Sequence, residues 1–540
     1  MQTNFGQTIT NHKKTILFLI VVLLFLALVV RAWPSTWDDS GITLAFSKNL
    51  ARYGDIVPTA QTNRVEGYSS FLWMMINSFF FKIGFDPTVV LFIAKSLATL
   101  FAVANITLFW RLIRTNIKTP VYQVGALFLY AINSYTIMSA VDGMETSLYA
   151  LLVLLSYFLY KKRNSSSADL VKFCITSSLL ILIRHEGFLF LIPFGLAILF
   201  EQRAKIFREP CIYVWAAVFL AYHGWHYAYF GELLTNPMLA KRFWPYRPVF
   251  DSFASIATFY LTPLFDFIFR YISVFILMIT SYLYKIIIRQ LDPKKETNNL
   301  IILIAITALF IMCITGANWG AAARLSYPGL PFVFVLLISV FDQEELLTKV
   351  RTIQFAALLG FVFNIIIIIE SNSTLLPDII TLAGVERRAS TISAMQLVLK
   401  RPLITFAGVD MGGLLLYHGE GKKIIDLALL CDKELAKNGY ALLNQYVFEQ
   451  EKPEIIEAHG QWLAPLHASK AFTSSYTPVM VLTNRNEQIL YLRKDIVREL
   501  KTTHTMNYAT AKSGFDDIDQ PALEQLGSFL VLDIRDNIQP

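Results

Sequence analysis

The sequence predicts a polytopic α-helical membrane protein with about eleven transmembrane helices and a C-terminal α/β domain on the outer side of the membrane. Three observations point there. Of 540 residues, 55% are hydrophobic and 16% are charged, with a mean hydropathy of +0.49; a soluble domain is usually about one quarter charged. Lys and Arg recur in short runs between long apolar segments. Beyond residue 370 the apolar segments give way to short β-prone runs bounded by Gly and Asp. The formal net charge of +7 is read as topology, because the excess bases sit in those connecting runs, and not as a nucleic-acid footprint.

Each element follows from this frame. Span 1, Thr15 to Val30, follows His12, Lys13 and Lys14, which places the N-terminus in the cytoplasm. No small-x-small cleavage pattern follows it, so it reads as a retained span. Later basic clusters stand at Arg111/Arg114/Lys118, Lys161/Lys162/Arg163, Arg203/Lys205/Arg208, Lys285/Arg289/Lys294/Lys295 and Lys349/Arg351. If all are cytoplasmic, two crossings separate each neighbouring pair. Phe71 to Phe81 is too short to cross, about 17 Å as a helix against a core of about 30 Å. Residues 66–84 are therefore expected as a helix in the outer interface. Spans 2, 3 and 4 follow at 88–110, 120–138 and 145–160. The stretch 170–201, interrupted by Arg184-His185-Glu186-Gly187, is expected as two spans; one broken helix is the other reading. Spans 7 to 11 are placed at 211–229, 268–284, 299–315, 326–341 and 353–370. The division is then a transmembrane domain over 1–370, with an external loop at 32–87, and a soluble domain over 371–540 with a helix near 432–438. Cys174, Cys211 and Cys313 lie in apolar segments and Cys431 stands alone, which gives neither a disulfide framework nor a cysteine metal site.

This topology gathers five polar loops on one face, at 31–70, 139–147, 184–187, 223–253 and 316–327. They carry the acids Asp38, Asp39, Glu66, Asp142 and Glu145 and the bases Arg64, Arg184, Lys241, Arg242 and Arg324. A carboxylate beside other acids and a low-dielectric wall gains proton affinity and becomes a better general base. Arginines hold phosphate through paired charge-assisted bonds. The residues alone leave plainer readings open. Asp38 and Asp39 also suit N-caps of a helix over Ile42 to Leu50, and Asp142 with Glu145 suits a cap of span 4. Arg184 and Arg324 also suit snorkelling to headgroups. His185, His223 and His226 fit interfacial roles better than a metal site. Trp37, Tyr68, Trp225, Trp244 and Trp319 suit either an aromatic belt or stacking on sugar rings.

WDDSGITLAFSKNLARYGDIV followed by RVEGYSSFLWMMI resembles the first external loop of the large polytopic glycosyltransferases that use polyprenyl-phosphate sugars, the GT-C superfamily. The likeness is nearest to the mycobacterial terminal β-(1→2)-arabinofuranosyltransferases and their bacterial relatives. DGMETSLYALL, RHEGFLFLIP, YFGELLTNPMLAKRF, NWGAAARLSYPGLPF and GGLLLYHGEGKKIIDLALLCDKELA resemble further landmarks in the same order, across most of residues 30–460. The resemblance implies a bacterial inner-membrane enzyme with Asp38 as general base and Asp39 assisting it. Arg64, Glu66 and Tyr68 would line the site. Asp142 and Glu145 would orient acceptor hydroxyls, and Arg184, Lys241 and Arg324 would meet donor phosphate, with His185, Glu186, Arg242 and Trp319 as further substrate contacts. It implies inverting displacement from a polyprenyl-phosphate-linked sugar donor onto an envelope glycan, glycolipid or protein acceptor, among membrane lipids. Such a reaction needs one base and no second catalytic acid. No cofactor is expected. A divalent cation is compatible with acids 38, 39, 142 and 145 but not favoured. His185 stands where relatives more often have proline, and NWGAAAR lacks their acidic residue before tryptophan, so arabinose itself is not carried across. The competing functions are a lipid-linked sugar transporter or flippase, and a noncatalytic envelope assembly protein. The one-sided charge and the lack of an inverted repeat weigh against transport. Sugar identity and oligomeric state are not encoded in any local motif.

Overall fold

The structure, a computed structural model, describes residues 2–248, 250–271, 276, 299–315, 324–342, 381–483 and 488–499. The chain divides into two compact units, each assembled from separated stretches. The first takes residues 1–35, 92–222 and 250–379, and the second takes 36–91, 223–249 and 380–540. The first external loop thus packs with the C-terminal residues in one unit, a grouping made by contact and not by chain order.

In the first unit, the helix Gln2–Ala32 contains the span Lys14–Ala32, whose exposed side chains include Ile16, Leu23 and Val30, as a lipid-facing helix requires. Pro87–Asn116 is a second helix long and apolar enough to cross a membrane. Pro120–Ala131 and Ser134–Val141 form a pair bent by 44°, broken where the Asn133 side chain accepts the amide of Tyr135 and starts a new helix. Shorter helices run over Thr146–Lys162, Ser167–Ile183, Leu191–Gln202, Asn299–Thr315 and Leu330–Asp342. Among the described residues, length and apolarity alone allow two crossings, or three if the bent pair is one span. The stretch 170–201 is two helices and not one continuous helix. Arg184 is extended, and a tight 3-10 turn over His185–Phe190 follows it. Gly187 permits that turn: a Cβ there would lie 1.7 Å from the Leu180 carbonyl oxygen. The sequence reading assigned no element to most of Phe253–Arg270, which is a helix opened by a Ser252–Ser255 capping box. Most of the expected span at 268–284, the whole span at 353–370 and the end of the tail near 528–534 lie outside the described residues.

In the second unit, residues 404–493 build a five-stranded sheet in the order β2-β1-β3-β5-β4. The strands are β1 (Ile404–Gly408), β2 (Lys422–Asp426), β3 (Ile455–Ala458), β4 (Tyr476–Thr483) and β5 (Gln488–Arg493). β1 runs parallel to both β2 and β3, whereas β5 is antiparallel to β3 and β4. All four residues of β3, the central strand, are buried, as expected for a strand covered on both faces. The short helix expected near 432–438 is Lys433–Asn438, with the Asp432 side chain capping the Leu435 amide. The helix expected over 66–84 forms over Phe71–Lys82, shorter at its start, and it packs on the helix Asp38–Tyr53.

Candidate active site

Asp38 and Asp39 open the helix Asp38–Tyr53, but neither caps it. The capping residue is Trp37, which makes no side-chain cap bond. The N-cap reading of these acids is therefore corrected. Asp38 is 5% exposed, and its carboxylate reaches a segment 374 residues away. Oδ2 accepts the Gly412 amide at 2.8 Å, and Oδ1 accepts the Gly413 amide at 2.7 Å. The backbones must nearly touch for this. A Cβ on Gly412 would lie 1.8 Å from the Asp38 carbonyl oxygen, and one on Gly41 would lie 2.6 Å from the Gly412 carbonyl carbon. The glycine of WDDSG and those of MGGLLLY thus make one crossing. Burial pushes the Asp38 carboxyl up to about 7, against the pull of the two amides; Asp39 adds to the rise and Arg388 opposes it. Asp39, next to it, is exposed.

Gly412 and Gly413 follow β1, and the neighbouring ends of β1 and β3 supply the rest of the cluster. β1 lies between β2 and β3, so the chain leaves β1 to one side and returns on the other. In open α/β sheets, the crevice beyond the carboxyl ends of such strands is where polar groups converge. Asp410, two residues past β1 and in left-handed backbone with φ 47°, stands there with His459, the residue after β3. His459 Nε2 lies 3.3 Å from Asp410 Oδ2. Arg388, from the helix Leu382–Val398, lies 3.5 Å from Asp410 and 3.1 Å from Glu457. Sequence reading missed Asp410, Arg388, Glu457 and His459. For three of them the signal was present in GVD and EAHG, where a short apolar run ends in Asp410 or in Glu457 and His459.

The other expected residues of this unit are engaged elsewhere. Arg64 is exposed, bonds Asp55 at 2.6 and 2.9 Å and lies over the Tyr229 ring at 4.6 Å. Glu66, buried, pairs with the equally buried His226, whose Nδ1 faces the Glu232 carbonyl at 2.7 Å. Tyr68 is buried edge-on to Phe46. Lys241 ends the short helix Asn236–Ala240, and Arg242 donates to the Leu239 carbonyl at 3.2 Å.

The first unit has its own cluster. Asp142 closes the helix Ser134–Val141, and its Oδ1 accepts the Met144 amide at 2.8 Å. Glu145 precedes Thr146–Lys162 without a side-chain cap bond. The cap-box reading of 142 and 145 is thereby corrected: the Asp side chain closes a local turn, and Glu145 forms a buried ion pair with Arg184. Arg184 Nε also meets Glu186 at 3.2 Å. Arg184, 4% exposed, is thus held between two acids and does not snorkel. Burial lifts Asp142 to about 7, with Arg324 and Lys95 opposing the rise. Arg324 Nη1 approaches Met144 Sδ at 3.4 Å, and His185 tilts against Tyr222. Trp319 lies outside the described residues. No group of three or more metal-ligating side chains occurs among the described residues.

Among solved structures, the chain is similar to ArnT from Cupriavidus metallidurans in the apo state. The TM-score is 0.50 at 11% sequence identity, over 87% of this chain and 97% of that one. The chain shares the fold of that structure. The same ArnT bound to undecaprenyl phosphate aligns with a TM-score of 0.45 over the same shares and at the same identity. No protein-family model matches the sequence, and no curated protein matches it significantly.

Proposed function

We propose that this chain is a membrane-bound inverting glycosyltransferase of the bacterial inner membrane. It moves a sugar from a polyprenyl-phosphate donor to a hydroxyl of an envelope glycan, glycolipid or protein on the periplasmic face. The observation that carries the reading is Asp38. It is a desolvated carboxylate at the start of the helix that follows the first span, fixed by two backbone amides. Burial gives it a proton affinity near neutrality, where a base can both exist as an anion and accept a proton. The shared fold with ArnT and the ordered run of motifs support the donor class.

In this reading the acceptor hydroxyl attacks the anomeric carbon as Asp38 removes its proton. The bond from that carbon to the donor phosphate oxygen breaks, and polyprenyl phosphate leaves with the electron pair. A phosphate leaving group needs little protonation, so one carboxylate suffices. The experiment is a mass-spectrometric comparison of envelope glycans and lipid-linked sugars in a null strain and in the null restored with the native chain. The reading predicts one sugar missing from the null while its polyprenyl-phosphate form persists. A null with intact glycans, or one whose lipid-linked sugar is trapped on the cytoplasmic leaflet, contradicts it; the second outcome is that of a flippase.

A further inference from the structure

The crevice beyond β1 and β3 does more than anchor Asp38. Its charge has to balance in a place water scarcely reaches. Three acids converge there. Asp38 is 5% exposed, and the side chains of Glu457 and Asp410 are 3% and 14% exposed. Asp39 faces them from the same helix as Asp38, and Tyr246 adds a buried phenol. Against these acids, among the described residues, stand Arg388 and His459. Three carboxylates and one guanidinium in a low dielectric cannot all stay charged; buried charges are paired or neutralised.

The distances say which groups pair. Arg388 Nε is nearer Glu457, at 3.1 Å, than its Nη2 is to Asp410, at 3.5 Å. Asp38 has its two amides. Arg388 Nε, Glu457 Oε1 and Asp410 Oδ2 are each buried without a hydrogen bond, so the contacts are read by distance: the Glu457 oxygen faces the guanidinium, and Asp410 Oδ2 lies 3.3 Å from a ring nitrogen.

We infer that Asp410 and His459 form a neutral pair, with the proton held on the Asp410 carboxyl that faces His459 Nε2 and the ring proton on Nδ1, and that this pair is a positioning device leaving Asp38 as the anion of the crevice. The role assigned to Asp38 rests on the function proposed above; the protonation state of the pair does not. Burial acts the same way on both partners. It raises the Asp410 carboxyl well above its ordinary value, with Asp38 adding to the rise, and it lowers His459 to about 4 with Arg388 adding to the fall. An ion pair would need the opposite shifts. A neutral Asp410 beside Asp38 lets the base ionise at neutral pH, which two adjacent carboxylates would resist. The C-terminal residues thereby complete the site whose base lies in the first external loop.

The test is labelling of the full-length protein in lipid nanodiscs with dicyclohexylcarbodiimide, which reacts with protonated carboxyls in apolar surroundings. Adducts on the Asp38 and Asp410 peptides are quantified by mass spectrometry from about pH 5 to about pH 9. Asp410 is expected to label across the range, still strongly at a pH where Asp38 labelling has fallen. Asp410→Asn, the neutral isostere, leaves the Asp38 midpoint in place. Arg388→Gln raises that midpoint by about one pH unit, a tenfold change in proton affinity. His459→Leu removes the ring nitrogen that faces the Asp410 carboxyl and lowers the Asp410 midpoint by a similar amount, about tenfold. A purely structural histidine would leave that midpoint alone. Failure of Asp410 to label at neutral pH while Asp38 labels, or a fall of about one unit in the Asp38 midpoint on Asp410→Asn, makes Asp410 a carboxylate and overturns the inference. The labelling uses the native chain first and needs no sugar donor, so its outcome is separate from that of the transfer experiment.

Discussion

Gly412→Ala is the sharpest structural perturbation of the candidate site. The added methyl would sit 1.8 Å from the Asp38 carbonyl oxygen and 2.7 Å from both its carbonyl carbon and Oδ1. Two of these are backbone atoms and cannot swing aside, so the helix Asp38–Tyr53 has to move off by more than an ångström. Both amide bonds to the carboxylate are then lost. Bonds to a charged acceptor contribute about 1.5–3 kcal/mol each, and forced overpacking costs about 1–3 kcal/mol, for a total of about 4–9 kcal/mol. That approaches the whole stability of a typical domain, about 5–15 kcal/mol. Hydrogen exchange of the full-length protein reads the effect directly. At the lower bound, about 4 kcal/mol, protection of residues 412 and 413 falls about a thousandfold relative to the native chain. Gly195→Ala, where a Cβ meets nothing within 4 Å, is the control and leaves exchange unchanged. Native-like protection of the 412–416 segment in Gly412→Ala would refute the crossing and with it the docking of Asp38.

Other outcomes follow from the same contacts. Asp38 at about 7, and Asp426 and Asp432 at about 6, hold protons in the folded chain that the unfolded chain, near 3.8, has released. Their contribution to stability is therefore complete below about pH 4 and lost as pH rises through 6 to 7, which thermal melts of the second unit's tryptophan signal should follow. Arg184→Gln strands Glu145 and Glu186 and should cost about 3–5 kcal/mol; pairing it with Glu145→Leu should recover part of that loss in membrane abundance. Arg64→Ala removes an exposed ion pair and should change stability by no more than about 1 kcal/mol by the same melts.

Local signals were legible in the sequence, and long-range partners were not. The apolar run from Phe71 to Phe81 was too short to cross and declared itself a separate helix, Phe71–Lys82. The β-prone runs bounded by Gly and Asp beyond residue 370 declared strands, and two of them, β1 and β2, lie in the parallel part of the sheet. WDDSG drew attention to Asp38 and Asp39, but by local sequence these acids also suited caps because a carboxylate beside a helix start usually is one. The partner of Asp38 is an amide pair 374 residues on, and backbone amides leave no trace in a sequence. Asp142 and Glu145 misled for a related reason. Their spacing imitates a cap box, but Arg184 offers Glu145 a stronger partner than its own helix start does. The acids and bases of the outer loops were grouped on one face by topology, and the fold pairs several of them: Arg184 with Glu145 and Glu186, and Glu66 with His226. Composition shows that such charges exist, and only the fold shows which are already paired.

The measurement that bears most directly on Asp38 is sugar transfer by the null strain restored with Asp38→Asn at native membrane abundance, followed as a function of pH. Asn keeps the shape and one acceptor oxygen, but turns its amide group toward the second backbone N–H, a structural loss of about 1–3 kcal/mol that leaves most of the crossing in place. Removal of a general base costs about a hundredfold to ten-thousandfold in rate. The account predicts that native transfer rises along an acid limb centred near pH 7, where Asp38 loses its proton, and that Asp38→Asn transfers at least about a hundredfold more slowly with no such limb. Native-level transfer by Asp38→Asn with an unchanged pH profile would contradict it, and would leave Asp38 as the anchor of the Gly412–Gly413 crossing alone.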